Sequence, residues 1–114
     1  MTRQASLSLD TIERYLAECF ATENAPRASE LAARCGMTPG RLTRVLLRER
    51  GTRPADYLKS RQVDFARRLL ESTNLNTTEI AYRAGFGTRA TFFRVFRRIT
   101  GETPAQFRNR TEAA

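Results

Sequence analysis

Apolar residues recur along this chain at steps of three, four and seven, the spacing that gathers them on one face of an α-helix. Between about Leu9 and Ala21 that face comprises Ile12, Tyr15, Leu16 and Phe20. A longer helix is predicted over PADYLKSRQVDFARRLLES, starting at Pro54, with Tyr57, Leu58, Val63, Phe65, Ala66, Leu69 and Leu70 as core candidates. At 1.5 Å per residue its 18 or so residues would extend roughly 27 Å. The polar run TNLNT at 73–77 interrupts the pattern as a turn.

The stretches flanking that turn and helix repeat one another. SELAARCGMTPGRLTRVLLRERGTRPADYL (29–58) aligns with TEIAYRAGFGTRATFFRVFRRITGETPAQFR (78–108). Gly36 pairs with Gly85, Leu31 with Ile80 and Ala32 with Ala81, an offset of 49 residues. From there on Leu42 pairs with Phe92, Arg44 with Arg94, Val45 with Val95, Gly51 with Gly101 and Pro54 with Pro104, an offset of 50. The second copy therefore holds one extra residue, near Thr88. Two copies are too few for a solenoid, which needs about three or more units, so the chain carries a duplicated supersecondary unit.

Within each unit, Ser29 or Thr78 is the candidate N-cap of a short helix, ELAARC or EIAYRA. Gly36 and Gly85 end that helix, because glycine takes the left-handed backbone of a C′ position. A second helix follows, with Thr38 as cap and Pro39 at its first position in the first copy. A short helix, a glycine turn and a longer helix make a helix-turn-helix. Leu42, Val45 and Leu46 form the core face of the longer helix in the first copy, and Phe92, Val95, Phe96 and Ile99 in the second. The opposite face carries Gly40, Arg41, Arg44 and Arg48, then Ala90, Thr91, Arg94, Arg97 and Arg98, with Arg89 and Phe93 at its flank. No acidic residue lies between Glu79 and Glu102, whereas a merely solvated face would mix both signs.

Composition narrows what such units can do. At 114 residues the chain suits one compact domain, or two very small ones sharing an element. Lys and Arg number 20 against 12 Asp and Glu, a formal charge of +8 with a pI near 10.9. A pI above about 9 in a small domain is the electrostatic footprint of nucleic-acid binding. Lys59 is the only lysine; the arginine bias fits a GC-rich coding sequence as well as it fits bidentate contact with phosphate or guanine. The lack of histidine, with Cys19 and Cys35 the only cysteines, excludes zinc sites and histidine base catalysis. Both cysteines fall in predicted helices among apolar neighbours and read as small core residues of a cytoplasmic protein rather than as a disulfide or redox switch. No apolar run suits a signal peptide or a membrane span. The ends, MTRQASLSL and TEAA, are expected to fray.

Over about residues 9–110 the chain resembles the DNA-binding domain of the AraC/XylS family of bacterial transcription regulators. The most specific part is EIAYRAGFGTRATFFRVFRRITGETPAQFR. It is similar to the family signature of a helix, a Gly-Phe turn, a Phe-x-x-x-Phe helix with basic residues, then Gly-x-x-Pro-x-x-aromatic-Arg. The repeat, Arg61, and Leu69 with Leu70 fit as well. The resemblance implies an all-α, homeodomain-like fold of seven helices. Two helix-turn-helix subdomains, 9–53 and 73–110, would be joined by a connecting helix, 54–72, with no cofactor. It also implies sequence-specific promoter binding, with recognition helices in successive major grooves. By that resemblance the base-reading candidates are Gly40, Arg41, Thr43 and Arg44 in the first unit, and Arg89, Ala90, Thr91, Phe93 and Arg94 in the second. Helix N-termini with Arg48, Arg97 and Arg98 would hold phosphates. The expected partners are double-stranded DNA and RNA polymerase, met by this domain as a monomer in the cytoplasm, at the nucleoid, in an activator.

Four positions depart from the family pattern. Gly40 presents no side chain and weakens its helix start by up to about 1 kcal/mol. Leu46 and Leu47 stand where an aromatic followed by a basic residue is usual, which puts a phosphate contact at 47 in question. Phe93 either touches a thymine methyl or packs against a neighbouring helix. No family-type sensor precedes the unit, so the chain is either a short stand-alone regulator, which Met1 favours slightly, or the C-terminal part of a longer one. A second functional reading is a protein-interaction or membrane-surface module built on the same basic helices. Against it, the apolar face from Phe92 to Ile99 is needed for the core. No acid–base or metal constellation supports an enzyme.

Overall fold

The computed structural model describes residues 7–113; the fraying expected of residues 1–6 and of Ala114 lies outside that range. Seven helices run through the described residues: α1 (Leu9–Ala21), α2 (Ala28–Arg34), α3 (Pro39–Arg50), α4 (Pro54–Ser72), α5 (Thr77–Arg83), α6 (Arg89–Thr100) and α7 (Pro104–Ala113). The all-α, seven-helix expectation holds, and α4 begins at the proline that forecast it. The expected fraying is narrower where the chain is described. Leu7 is buried, the Ser8 hydroxyl caps α1 by accepting from the Thr11 N–H at 3.3 Å, and α7 continues to Ala113.

Two of the expected caps move. The α5 cap is Asn76 rather than Thr78: its side chain accepts from the Glu79 N–H at 2.8 Å while the Glu79 carboxylate accepts from the Asn76 N–H at 3.0 Å. Asn76 stands three residues before a glutamate, so both bonds close at once, an arrangement Thr78 has no geometry for. The α2 helix starts after Arg27 rather than at Ser29, and Arg27 makes no side-chain cap. The acceptor comes from another helix: the Tyr15 hydroxyl takes the Arg27 N–H at 2.8 Å and donates to Glu30 at 2.6 Å. Burial pushes that phenol well above its ordinary pKa, so it stays a neutral bridge between α1 and α2.

Buried side chains form two clusters. Ile12, Leu16, Leu31, Leu42 and Leu46 centre the first, closed by Tyr57 and Leu58 from the start of α4. Val63, Ala66 and Leu70 from the rest of α4 join Ile80, Phe92, Phe96 and Phe107 in the second. The α4 helix thus belongs to both. Of its core candidates, Phe65 and Leu69 are only half-buried, and Phe65 instead stacks on Phe20 of α1 at 4.1 Å with the rings 7° from parallel. Gln62, polar and absent from the expected core, is buried because its amide donates to the Ala84 carbonyl at 3.0 Å.

Ile99 is a correction to the expected α6 core face: it shares the angular position of Phe92 but is 40% exposed. It stands on the last turn, where the helix has run beyond the layer formed by Phe96 and Phe107, whose rings meet at 5.7 Å. Cys35 is a second correction. It occupies the C-cap of α2 and is half-buried, whereas Cys19 is buried; both are free thiols that burial holds above their ordinary pKa. Arg108, the last residue of the quoted motif, is structural. Its guanidinium donates to the carbonyls of Leu70 at 3.1 Å, Thr73 at 3.0 Å and Leu75 at 2.6 Å, tying α7 to the α4–α5 connection.

This division of α6 sets a stability contrast. Phe96→Ala should destabilise by about 3–5 kcal/mol, and Ile99→Ala by less than about 1 kcal/mol. Denaturant unfolding of the two variants checks it; equal losses would put Ile99 back in the core.

Candidate nucleic-acid interface

Both longer helices of the repeat start alike. The Thr38 hydroxyl accepts from the Arg41 N–H at 3.2 Å and the Thr88 hydroxyl from the Thr91 N–H at 3.1 Å, which fixes the first turns of α3 and α6. The extra residue of the second copy is Gly87, at φ +81°, placed between Phe86 and the Thr88 cap. It gives the chain room to seat Phe86 against Phe92, ring centres 5.2 Å apart, before α6 begins.

The outer faces of α3 and α6 carry the expected residues in different states. Gly40, Arg41, Arg44 and Arg48 are exposed, and the half-buried Thr43 donates its hydroxyl back to the Pro39 carbonyl at 3.1 Å. A Cβ on Gly40 would meet only the Arg44 guanidinium, at 3.9 Å, so the glycine leaves open surface there. In the second unit Arg89, Ala90, Arg94, Arg97 and Arg98 are exposed, while Thr91 and Phe93 are half-buried. Phe93 packs edge-on against Phe92 at 6.0 Å, and its outer surface carries the Arg89 guanidinium 4.2 Å from the ring centre. Arg89 Nε also donates to the Thr77 hydroxyl at 3.2 Å. Thr77, a partner that spacing within one helix does not reveal, thus helps hold an arginine of the next helix.

Among the described residues Arg41, Arg44, Arg89, Arg94, Arg97 and Arg98 take part in no ion pair. Arg48 comes no nearer than 3.9 Å to the Glu49 carboxylate. Several arginines on other helices do meet carboxylates: Arg14 with Asp10, Arg34 with Glu18 at 2.6 Å, Arg61 with Glu13 at 2.6 Å and Arg110 with Glu102 at 2.7 Å. Others, among them Arg27, Arg53, Arg68 and Arg83, stand unpaired as well, so the outer faces of α3 and α6 are distinguished by how many exposed arginines each gathers. Among the described residues no three His, Cys, Asp or Glu side chains gather as metal ligands, and no helix is long and apolar enough to cross a membrane.

Two helix-turn-helix units sharing one core helix, each with an unpaired basic outer face, define a tandem helix-turn-helix protein. Residues 31–110 match the family described as "Helix-turn-helix domain". The chain is 43% identical over 84 residues to the HTH-type transcriptional regulator Rv1931c of Mycobacterium tuberculosis, covering 74% of this chain and 32% of that protein. To the arabinose operon regulatory protein of Escherichia coli it is 26% identical, over 83% of this chain and 32% of that one. The fold superimposes on the crystal structure of the DNA-binding domain of AdpA, described as a global transcriptional factor in complex with a target DNA. The TM-score is 0.78 at 28% identity, covering 90% of this chain and 94% of that domain. The chain belongs to the AraC-type helix-turn-helix family. It spans about a third of the length of the two regulators (32% each).

The Glu13–Arg61 pair yields a pH test. The Arg61 guanidinium holds the Glu13 carboxyl below its ordinary range, so the folded value lies under the unfolded one. The pair therefore contributes stability that is complete above the ordinary glutamate range and lost as pH falls through the folded value. Glu13 is half exposed, which limits the contribution to about 1 kcal/mol. Glu13→Gln should lower the melting temperature at pH 7, and its difference from the parent should shrink towards zero as the pH falls from the ordinary glutamate range through the lowered folded value. A difference that persisted there would assign the loss to something other than this pair.

Proposed function

We propose that this chain is the DNA-binding part of a transcription regulator, with α3 and α6 as recognition helices in successive major-groove segments of one duplex face. The observation that carries the reading is the pairing of two equivalent helices whose exposed arginines, Arg48 apart, have no carboxylate partner among the described residues. Such side chains are free to replace the counterions of a phosphate backbone. The longest dimension of the protein, 55 Å, exceeds the roughly 34 Å between major-groove segments one turn apart.

In this proposal residues 9–53 and 73–110 are the two reading units and 54–72 the helix between them. Gly40, Arg41, Thr43 and Arg44 face one groove, and Arg89, Ala90, Thr91, Phe93 and Arg94 the next. Arg48, Arg97 and Arg98 hold phosphates. The contacts refine two of these roles. Thr43 has its hydroxyl engaged with Pro39, and Phe93 serves as the platform under Arg89. The chain acts as a monomer at the nucleoid, contacts RNA polymerase and performs no catalysis. The exposed large apolar residues Leu9, Leu47, Tyr82 and Ile99 sit one to a helix, on α1, α3, α5 and α6. That leaves a membrane-surface reading without a continuous apolar face.

Selection from random duplexes at a stated salt concentration should enrich an asymmetric motif with two separated blocks; recovery of no motif would remove the proposal. Arg94→Ala should weaken the selected site by about 1–3 kcal/mol and relax preference at one base pair. Arg97→Ala should weaken all sequences alike and lower the slope of log K against log salt by about 1. Titrations across salt on selected and scrambled duplexes separate the two behaviours, and identical profiles for both variants would undo the division into readers and clamps.

A further inference from the structure

The two units touch at the turn of the second one. Gly85 there has φ +82°, and a Cβ on it would lie 2.9 Å from the Asn24 carbonyl oxygen and 3.2 Å from the Ala25 Cα. Asn24 and Ala25 belong to the α1–α2 connection of the first unit, so backbone meets backbone across the unit boundary. On the turn's other side the buried Gln62 amide, 6% exposed, donates to the Ala84 carbonyl. The α5–α6 turn is thus held between the first unit's connection and the middle of α4. The equivalent turn of the first unit has no such neighbour: Gly36 has a similar φ of +68° and nothing within 4 Å of its Cβ position.

The other named contacts near the boundary are of a different kind. A groove of about 250 Å³ opens beside it, between Pro26, Leu58, Phe86 and Val95. The Phe20–Phe65 stack and the Glu13–Arg61 pair hold α1 to α4, and neither reaches α5 or α6. The α6 helix begins at Arg89, four residues after Gly85. A displaced turn therefore displaces the N-terminal end of α6, the end proposed to read bases.

We propose that the joint of Gly85 with Asn24 and Ala25, seated by Gln62, sets the spacing and phase at which the two recognition helices meet DNA. Gly85 and Gln62 are then specificity-determining residues that touch no base. The inference rests on the two-headed DNA reading above. Moving the two blocks of a site apart by one base pair shifts the second by about 3.4 Å and rotates it by about 35°. A locked pair of units resists that change, and a loosened pair follows it.

The test uses the selected site and versions with one base pair inserted or deleted between its blocks, bound by the parent chain, Gly85→Ala, Gly36→Ala and Gln62→Leu. Gly36→Ala is the matched control, since it places the same side chain on the same left-handed backbone without the clash. The parent and Gly36→Ala should lose about tenfold or more in affinity on respacing, a mismatch-sized penalty, and Gly85→Ala and Gln62→Leu about threefold or less. Dipolar couplings of the free protein should fit one alignment tensor in the parent and Gly36→Ala, and two in Gly85→Ala. Where Gly85→Ala fails to fold, Gln62→Leu carries both readouts. Parent-like respacing penalties in Gly85→Ala, or in Gln62→Leu where it stands in, overturn the joint and leave the DNA reading intact. Failure of the parent to enrich any site overturns both.

Discussion

A single helix serves two cores in succession, and every other placement in the molecule depends on it. The first turns of α4 deliver Tyr57 and Leu58 to one cluster, and the following turns deliver Val63, Ala66 and Leu70 to the other. Between the two sets lie Arg61, which reaches back to Glu13 of α1, and Gln62, which reaches into the turn of the second unit. A continuous hydrogen-bonded helix of 19 residues is a rod of about 28 Å. Each unit gains its orientation from the face of that rod it packs on, so the relation between the units follows from the pitch of α4 and from the contact of Gly85 with Asn24 and Ala25.

The duplicated units reach the same geometry by different packing. Leu42 and Leu46 fill the first core, whereas Phe92 and Phe96 anchor a line of rings that continues to Phe86 and Phe107 at 5.2–5.7 Å. The short helix of the first unit takes its cap from Tyr15 of α1, and that of the second closes its own box with Asn76 and Glu79. Gly87 accommodates the larger Phe86. Conserving the backbone while varying the core leaves the outer faces free to differ, and they do: Gly40 and Arg41 stand where the second unit has Ala90 and Thr91. Two heads of unlike surface match an asymmetric site better than a palindrome.

Arginine plays three physical parts here that composition cannot distinguish. Arg108 is structural, bound to three carbonyls at a helix junction. Arg61 and Arg34 close ion pairs with Glu13 and Glu18 of α1. Arg41, Arg44, Arg94, Arg97 and Arg98 are exposed without an ion pair among the described residues, which leaves the charge of two equivalent helix faces available to a polyanion.

Periodicity and punctuation, which act over a few residues, determined the elements from the sequence alone: the bounds of α1 and α4, the glycine-turn units, the Thr38 start, and the core positions Leu42, Val45, Leu46, Phe92, Val95 and Phe96. The repeat showed that one geometry occurs twice, and its exposed faces pointed to the same helices whose arginines stand unpaired. What spacing along one helix could not reveal depends on other helices. Ile99 has the angle of a core residue but not the neighbour, Phe65 and Leu69 lie at the edge of what their partners cover, and Gln62 is buried because Ala84 offers it an acceptor. Gly85 read as a helix stop, and its φ bears that out. Only the tertiary structure brought Asn24 against it, because a contact between residues 61 positions apart is decided by how two packed units close on a shared helix rather than by any local pattern.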